Sequence, residues 1–285
     1  MKKLLFFLAV LIVLYFVGSN IKQASWFPFG NKGEQTESIK NIDKIDLDIG
    51  SYDVKVIPDD REDIKAEITG KGKLIMNRSG DTIQIEVTRK WLDGINFWSK
   101  SRLNVYIPES YDKDIDLSIG SGRIVMSGRA ENSPMKLKNL NVKMGSGIVK
   151  LENLDVQRFY HKGSSGKSNI NAITAKTGTI KMESGIVDVN QYKGKLDAKL
   201  SSGKMDIQMA ELNDSIMMKV NSGMANLDLP KDASFTLNGE VGSGIFSCDF
   251  PLNNKQNNEK VVKGTHGSGE YKIDAKVSSG KLKIY

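Results

Sequence analysis

Gly120-Ser121-Gly122-Arg123-Ile124-Val125 is the stretch that decides the fold, because it keeps returning. It comes back as Gly145-Ser146-Gly147-Ile148-Val149, Ser164-Ser165-Gly166-Lys167 and Glu183-Ser184-Gly185-Ile186-Val187. Ser201-Ser202-Gly203-Lys204-Met205, Asn221-Ser222-Gly223-Met224 and Gly242-Ser243-Gly244-Ile245-Phe246 follow. Gly267-Ser268-Gly269 and Ser278-Ser279-Gly280-Lys281 close the series. From Ser121 to Ser268 the steps are 25, 19, 19, 18, 20, 21 and 25 residues. A drifting period of roughly 20 residues marks a stacked repeat architecture.

The residues between the Ser-Gly pairs alternate with period two. Met205, Ile207 and Met209 point one way, and Lys204, Asp206 and Gln208 the other. Leu196, Ala198 and Leu200 do the same, as do Ile216, Met218 and Val220. This is the pattern of half-buried strands. Glycine suits a tight corner, since it accepts positive φ without steric cost. The adjacent serine can bond local backbone or the matching serine one coil away. Each unit therefore reads as corner, strand, polar turn, strand, corner. Gly122, Gly147, Gly166, Gly185, Gly203, Gly223, Gly244 and Gly280 are the expected corners, with positive φ expected at Gly203 and Gly223.

One unit cannot bury its apolar face alone, but stacked units can. The expectation is an all-β chain, a β-solenoid of the parallel β-helix kind. Roughly ten coils would make a rod of about 50 Å. A meander of antiparallel hairpins with Ser-Gly turns is the competing arrangement.

The first third is less regular. Ile45, Leu47 and Ile49 run into Gly50-Ser51-Tyr52, a degenerate copy of the corner. Three further alternating strands follow, the last ended by Pro108. Residues 41–119 are expected to form an N-terminal β cap and first coils, and residues 120–285 the Ser-Gly solenoid. The chain stops on Leu282–Tyr285, where Lys281 and Lys283 would guard an open edge.

The N-terminus reads as an anchor. Lys2 and Lys3 precede an unbroken apolar run, Leu4–Val17, which Ile21 extends. Residues 1–3 are the cytoplasmic stub, 4–21 the transmembrane signal-anchor and 22–40 a polar tether. Cleavage after Ser19 is the alternative. Trp26, Phe27 and Phe29 fall where an aromatic belt would sit, favouring retention. The bulk of the chain is then extracytoplasmic, in a single-pass protein of the cell membrane.

The net charge of +7 is unevenly placed. Residues 1–33 hold four lysines and no acids, leaving 37 basic and 34 acidic side chains interspersed over the rest. Interspersed charges describe a solvated surface, not a nucleic-acid footprint. The lone Cys248 permits no internal disulfide, and its alternation with Phe246 and Phe250 places it in the core.

Ser-x-x-Lys at Ser164–Lys167, Ser201–Lys204 and Ser278–Lys281 has the spacing of a nucleophile and base. It recurs here because the corner recurs, and no partner motif accompanies it. His161 and His266 are the only histidines and neither has ligand spacing. His161 reads as part of a surface turn. Asp155, Asp188, Asp206 and Asp228 each follow a corner, and are expected to scatter among lysines because stacked like charges are costly. No catalytic, metal or cofactor-binding residue is assigned and no cofactor is expected. Trp91, Phe97 and Trp98 are candidate partner or membrane contacts, or else cap the core of the first coil; Trp26 and Phe27 are candidate partner or membrane contacts.

The order of these features resembles the bacterial putative-adhesin β-strand-repeat family, of unknown function. The features are a lysine-flanked apolar N-terminus, an aromatic tether, a degenerate Gly-Ser strand, Ile107-Pro108, and Gly120-Ser121-Gly122 with its copies. Within that family it is most similar to the LiaG-type membrane proteins of Gram-positive cell-envelope stress operons. The resemblance implies a non-enzymatic, membrane-anchored β-helical protein, an adhesin or envelope-associated scaffold. Its implied partners are the membrane, cell-envelope polymers or a membrane sensor. Regulation of such a sensor, and polysaccharide cleavage by a β-helix enzyme, are the rival readings.

Overall fold

The structure, a computed structural model, describes residues 33–88, 101–258 and 260–285. The expected anchor over 4–21 and the aromatic residues Trp26, Phe27, Trp91, Phe97 and Trp98 lie outside them. All the regular structure described is β.

The N-terminal strands are β1 (Glu34–Ser38), β2 (Lys44–Asp48), β3 (Asp53–Asp59), β4 (Asp63–Thr69) and β5 (Lys73–Ser79). Then come β6 (Thr82–Thr88), β7 (Arg102–Pro108), β8 (Asp114–Ile119) and β9 (Arg123–Ser127). The middle of the chain holds β10 (Met135–Met144), β11 (Ile148–Gly163) and β12 (Lys167–Met209). The last part holds β13 (Ile216–Val220), β14 (Met224–Asp228), β15 (Phe235–Val241) and β16 (Ile245–Cys248). It ends with β17 (Asn253–Asn257), β18 (Val261–His266), β19 (Tyr271–Val277) and β20 (Lys281–Ile284).

These strands wind as a β-solenoid with two long faces. On the first face β6, β2, β8, the end of β10 and the end of β11 pair in parallel, and the ladder continues through β12, β13, β19 and β15. On the second face the order is β7, β3, β9, the start of β11, successive passes of β12, then β14, β20 and β16. A short third side joins Met135–Leu137 to Leu154–Val156 and these to Ile173–Ala175. The parallel ladder excludes the hairpin meander for the body of the rod.

Pairing is in register, so like positions stack. Leu47, Leu117 and Val142 form one buried column, and Val54, Ile124 and Val149 another. Each fully buried Val, Leu or Ile contributes roughly 1.5–3 kcal/mol, and neighbouring coils share the benefit.

The chain order is not the spatial order at either end. β2 and β3 lie between β6–β7 and β8–β9, although they come earliest of the three coils. β19 and β20, the last strands, lie between β13–β14 and β15–β16. Leu282–Tyr285 is therefore not an open edge guarded by Lys281 and Lys283; β20 is paired on both sides. The outermost coils instead carry antiparallel strands: β4 against β7 and β1 against β4, β5 against β6, and β18 against β15 with β17 against β18. Switching to antiparallel pairing interrupts the template that a parallel end would offer another chain. Gly267-Ser268-Gly269 belongs to the turn between β18 and β19, and the coil corner that continues the series is Ser279-Gly280.

Candidate functional site

The corners were expected to need glycine for its φ. Only Gly166 and Gly203 among them hold positive φ, at 96° and 89°. Gly122, Gly147, Gly185, Gly223, Gly244 and Gly280 do not, so Gly223 departs from expectation. Their requirement is close approach. A Cβ on Gly147 would lie 2.3 Å from the Gly122 carbonyl oxygen, and one on Gly223 2.7 Å from that of Gly203. The contacts link Tyr52, Gly122, Gly147, Gly166, Gly185, Gly203, Gly223, Gly280 and Gly244 in one axial column.

This column aligns everything beside it. The residue before it is always serine: Ser51, Ser121, Ser146, Ser165, Ser184, Ser202, Ser222, Ser279 and Ser243, all exposed. Their backbone N–H groups continue the ladder through the corner. Ser146 donates to Gly120 at 2.7 Å and Ser279 to Asn221 at 2.7 Å. Ser51 and Ser121 also share a side-chain hydrogen bond of 2.8 Å.

Four residues before the corner, on the outer side of the first face, stands a second column. Lys143 pairs with Lys162 and Lys162 with Lys181. Lys199 pairs with Lys219 and Lys219 with Lys276. Lys181 and Lys199 hold the same place before stacked Gly185 and Gly203. The result is a row of six lysines along one edge, about 4.8 Å apart and about 24 Å long. All are exposed except the half-buried Lys181, which lies over the Tyr160 ring at 5.5 Å. Among the described residues only Lys162 and Lys276 have a carboxylate within salt-bridge reach, Glu183 at 3.4 Å and Glu240 at 2.9 Å. Asp48 and Ser118 precede the row in space and Glu240 follows it.

Sequence reading missed this row. The lysines are about 20 residues apart along the chain and look interspersed. The signal was present as Lys-x-x-Ser-Gly: Lys143–Gly147, Lys162–Gly166, Lys181–Gly185, Lys199–Gly203, Lys219–Gly223 and Lys276–Gly280.

The column one residue past the corner is mixed: Arg123, Ile148, Lys167, Ile186, Lys204, Met224, Lys281, Ile245 in spatial order. Two of its lysines are engaged elsewhere than on the corner serines of Ser-x-x-Lys. Lys167 meets Asp188 at 3.1 Å and Lys204 meets Asp206 at 2.5 Å. Asp188 and Asp206 do stack, contrary to the expected scatter, each three residues past a stacked corner glycine. The Asn226 amide donates to Asp206 at 2.7 Å, and the two lysines offset the paired charge. Asp155 stands apart on the third side, and Asp228 accepts from Gln208 at 3.2 Å.

A depression of about 480 Å³ is an open groove on the third side where Asp112, Asp155 and Asp214 mix with Lys136 and Lys176. Among the described residues no three His, Cys, Asp or Glu side chains converge as a metal set would. His266 bonds the Pro251 carbonyl at 2.8 Å through Nδ1 and packs on Phe250. Cys248 is half-buried against the core, which raises its thiol pKa.

His161 departs from the surface turn expected of it. It lies on β11, not in a surface turn, and is fully buried in the column of Leu117, Val142 and Ile180. Its Nε2 is 2.7 Å from the Oγ of buried Ser168, across the coil interior. Burial pushes its pKa down from 6.5 to about 4. As pH falls, the unfolded chain takes up this proton first, so the pair's stabilisation is full above about pH 6.5 and is lost toward pH 4. Wild type is expected to lose about 2–3 kcal/mol from this group between about pH 7.5 and pH 4.5. The double variant His161→Leu/Ser168→Ala should show a smaller fall in melting temperature over that range; an equal fall would contradict this account.

The geometry defines a class: a rod of stacked β coils whose outer side chains form axial columns. Residues 42–285 match the family model described as Toastrack DUF4097, and the chain belongs to that family. A "putative adhesin" of Bacteroides fragilis is similar in fold, at 14% identity and a TM-score of 0.53, over 90% of this chain and 99% of that one. A "putative lipid binding protein" of Parabacteroides distasonis matches at 16% identity and a TM-score of 0.47, over 90% and 98%. A "putative cell adhesion protein" of Clostridium sporogenes matches at 16% and 0.32, over 88% and 97%. No curated protein matches the chain in sequence.

Proposed function

We propose that this chain is a non-enzymatic, membrane-anchored protein that holds an envelope or cell-surface component outside the cytoplasm. The observation that carries the reading is the axial repetition of the outer columns: stacked coils present the same side chain many times, and the Ser168–His161 pair is sealed in the core, out of reach of a substrate. A repeated surface suits attachment spread over many weak contacts, whereas catalysis needs one convergent site. The name of the Bacteroides fragilis protein that shares the fold, a "putative adhesin", points the same way. The Lys2-Lys3 flank and the run Leu4–Val17 support a single membrane anchor with the rod outside. The likeness to LiaG-type proteins supports a place in the Gram-positive envelope stress response.

One experiment on cells tests the reading. Protease added to spheroplasts should remove the β-domain, and in-cell crosslinking should capture an envelope component. Deleting residues 184–201 removes one coil and joins Glu183 to Ser202 in register. It should weaken crosslinking without abolishing it. A protease-protected domain would refute the topology. Complete loss from one folded point variant would refute distributed attachment.

A further inference from the structure

We propose that the lysine row and the serine column beside it form a binding edge for a single-stranded linear polyanion, laid parallel to the rod axis. This rests on the reading of the rod as an attachment surface and gives that surface a ligand class.

Six like charges in register are unfavourable unless something offsets them. Ammonium groups about 5 Å apart repel by about 1 kcal/mol per neighbouring pair even at the dielectric of water. The rest of the surface avoids such runs. The column past the corner alternates cation with apolar residue, and stacked Asp188 and Asp206 are each met by a lysine. The row Lys143, Lys162, Lys181, Lys199, Lys219 and Lys276 alone is uniform in charge.

The topology of the C-terminus keeps it so. In chain order the position after Lys219 is Glu240, then Lys276. The inserted strand β19 reverses this in space, setting Lys276 against Lys219 and moving Glu240 to the end. The row is thereby unbroken within its own column: Asp48 and Glu240 stand beyond its ends, and Glu183 reaches Lys162 from beside it.

Shape narrows the ligand. Open grooves of about 390 Å³ and 410 Å³ flank the corner at the two ends, the first lined by Lys143, Lys162 and Ser164 with Asp48 at its far side, the second by Lys276, Ser278 and Ser279 with Glu240. Exposed serine hydroxyls there can donate to anionic oxygens that the lysines neutralise. One straight row, a single lysine wide, matches one extended polymer strand. A duplex winds its charges helically and would meet such a row only where it crosses. A flat anionic lipid surface would also press on Asp197 and Asp274, two residues from the row on the same outer face.

Inorganic polyphosphate is the probe, titrated against the full chain. Log affinity against log salt should have a slope of about −4 for six lysines on a single-stranded polyanion, a loss of roughly 300-fold between 50 and 200 mM salt. Lys162→Gln/Lys181→Gln/Lys199→Gln should halve that slope and weaken binding by at least about 30-fold, while its melting temperature holds or rises as repulsion is relieved. Lys136→Gln/Lys176→Gln/Lys231→Gln removes the same charge away from the row and should bind like wild type. Equal weakening by the two triple variants would overturn the proposal in favour of net charge, and no polyphosphate binding would overturn it outright. Row-dependent binding of duplex DNA or anionic vesicles in place of polyphosphate would overturn the single-strand assignment. Any of these failures, with the coil-deletion result intact, removes the ligand class and leaves the attachment reading standing.

Discussion

Gly203→Val is expected to destabilise the rod by at least about 3 kcal/mol, and so to leave much of the chain unfolded at physiological temperature. Two costs add. The residue sits at φ 89°, which a β-branched side chain resists. The new Cβ would lie 2.2 Å from the Gly185 oxygen and 2.7 Å from its nitrogen. Both are main-chain atoms of the next coil, so nothing nearby can turn aside. Gly223→Ala isolates the second cost: its φ is ordinary, yet its Cβ would meet the Gly203 oxygen at 2.7 Å and Leu200 Cδ2 at 2.6 Å. Gly50→Ala is the control, with open space around the added methyl, and should stay within about 0.5 kcal/mol of wild type. Denaturant melts of the three variants give the ranking. A Gly203→Val protein as stable as Gly50→Ala would refute the stacked corner.

Truncation before Tyr271 should have an effect at least as large. It removes β19 and β20, only the last fifteen residues. Because these strands lie inside the stack, their loss takes Ile273, Ala275, Val277, Leu282 and Ile284 out of the core. It also leaves β15 and β16 without their parallel partners. At roughly 1.5–3 kcal/mol for each large buried side chain, residues 235–266 cannot stay docked. Hydrogen exchange should show their protection lost, while β10 and β11 remain protected, since each coil depends mainly on its neighbours. The exposed edges of β13 and β14 should make the truncated protein aggregate. Retained protection over β15 and β16 would show that the last strands are peripheral after all.

Local sequence pattern sets which side chains face inward. Period-two alternation placed Met205, Ile207 and Met209 inside, and all are buried. Eight Ser-Gly copies supply the stacked glycines, while Gly267-Ser268-Gly269 forms the turn between β18 and β19. The reason glycine is needed was misjudged at most of them, because φ is a property of one residue while carbonyl approach is a property of two coils. His161 was legible in principle: it alternates in phase with Phe159 and Gly163. Its flanking Arg158, Tyr160 and Lys162 made the stretch look like surface.

By itself, then, the sequence determined that this protein is a stack of short coils with glycine corners, since alternation and period act locally or between like units. Only the tertiary structure decided the order of those coils. A parallel strand with an alternating face can pair with any neighbour of matching register, so local pattern does not say that β2–β3 and β19–β20 insert inside the stack. That order in turn decided which surface columns exist. The lysine row is continuous because Lys276 is set beside Lys219 by a hydrogen-bonded ladder that joins residues more than fifty positions apart.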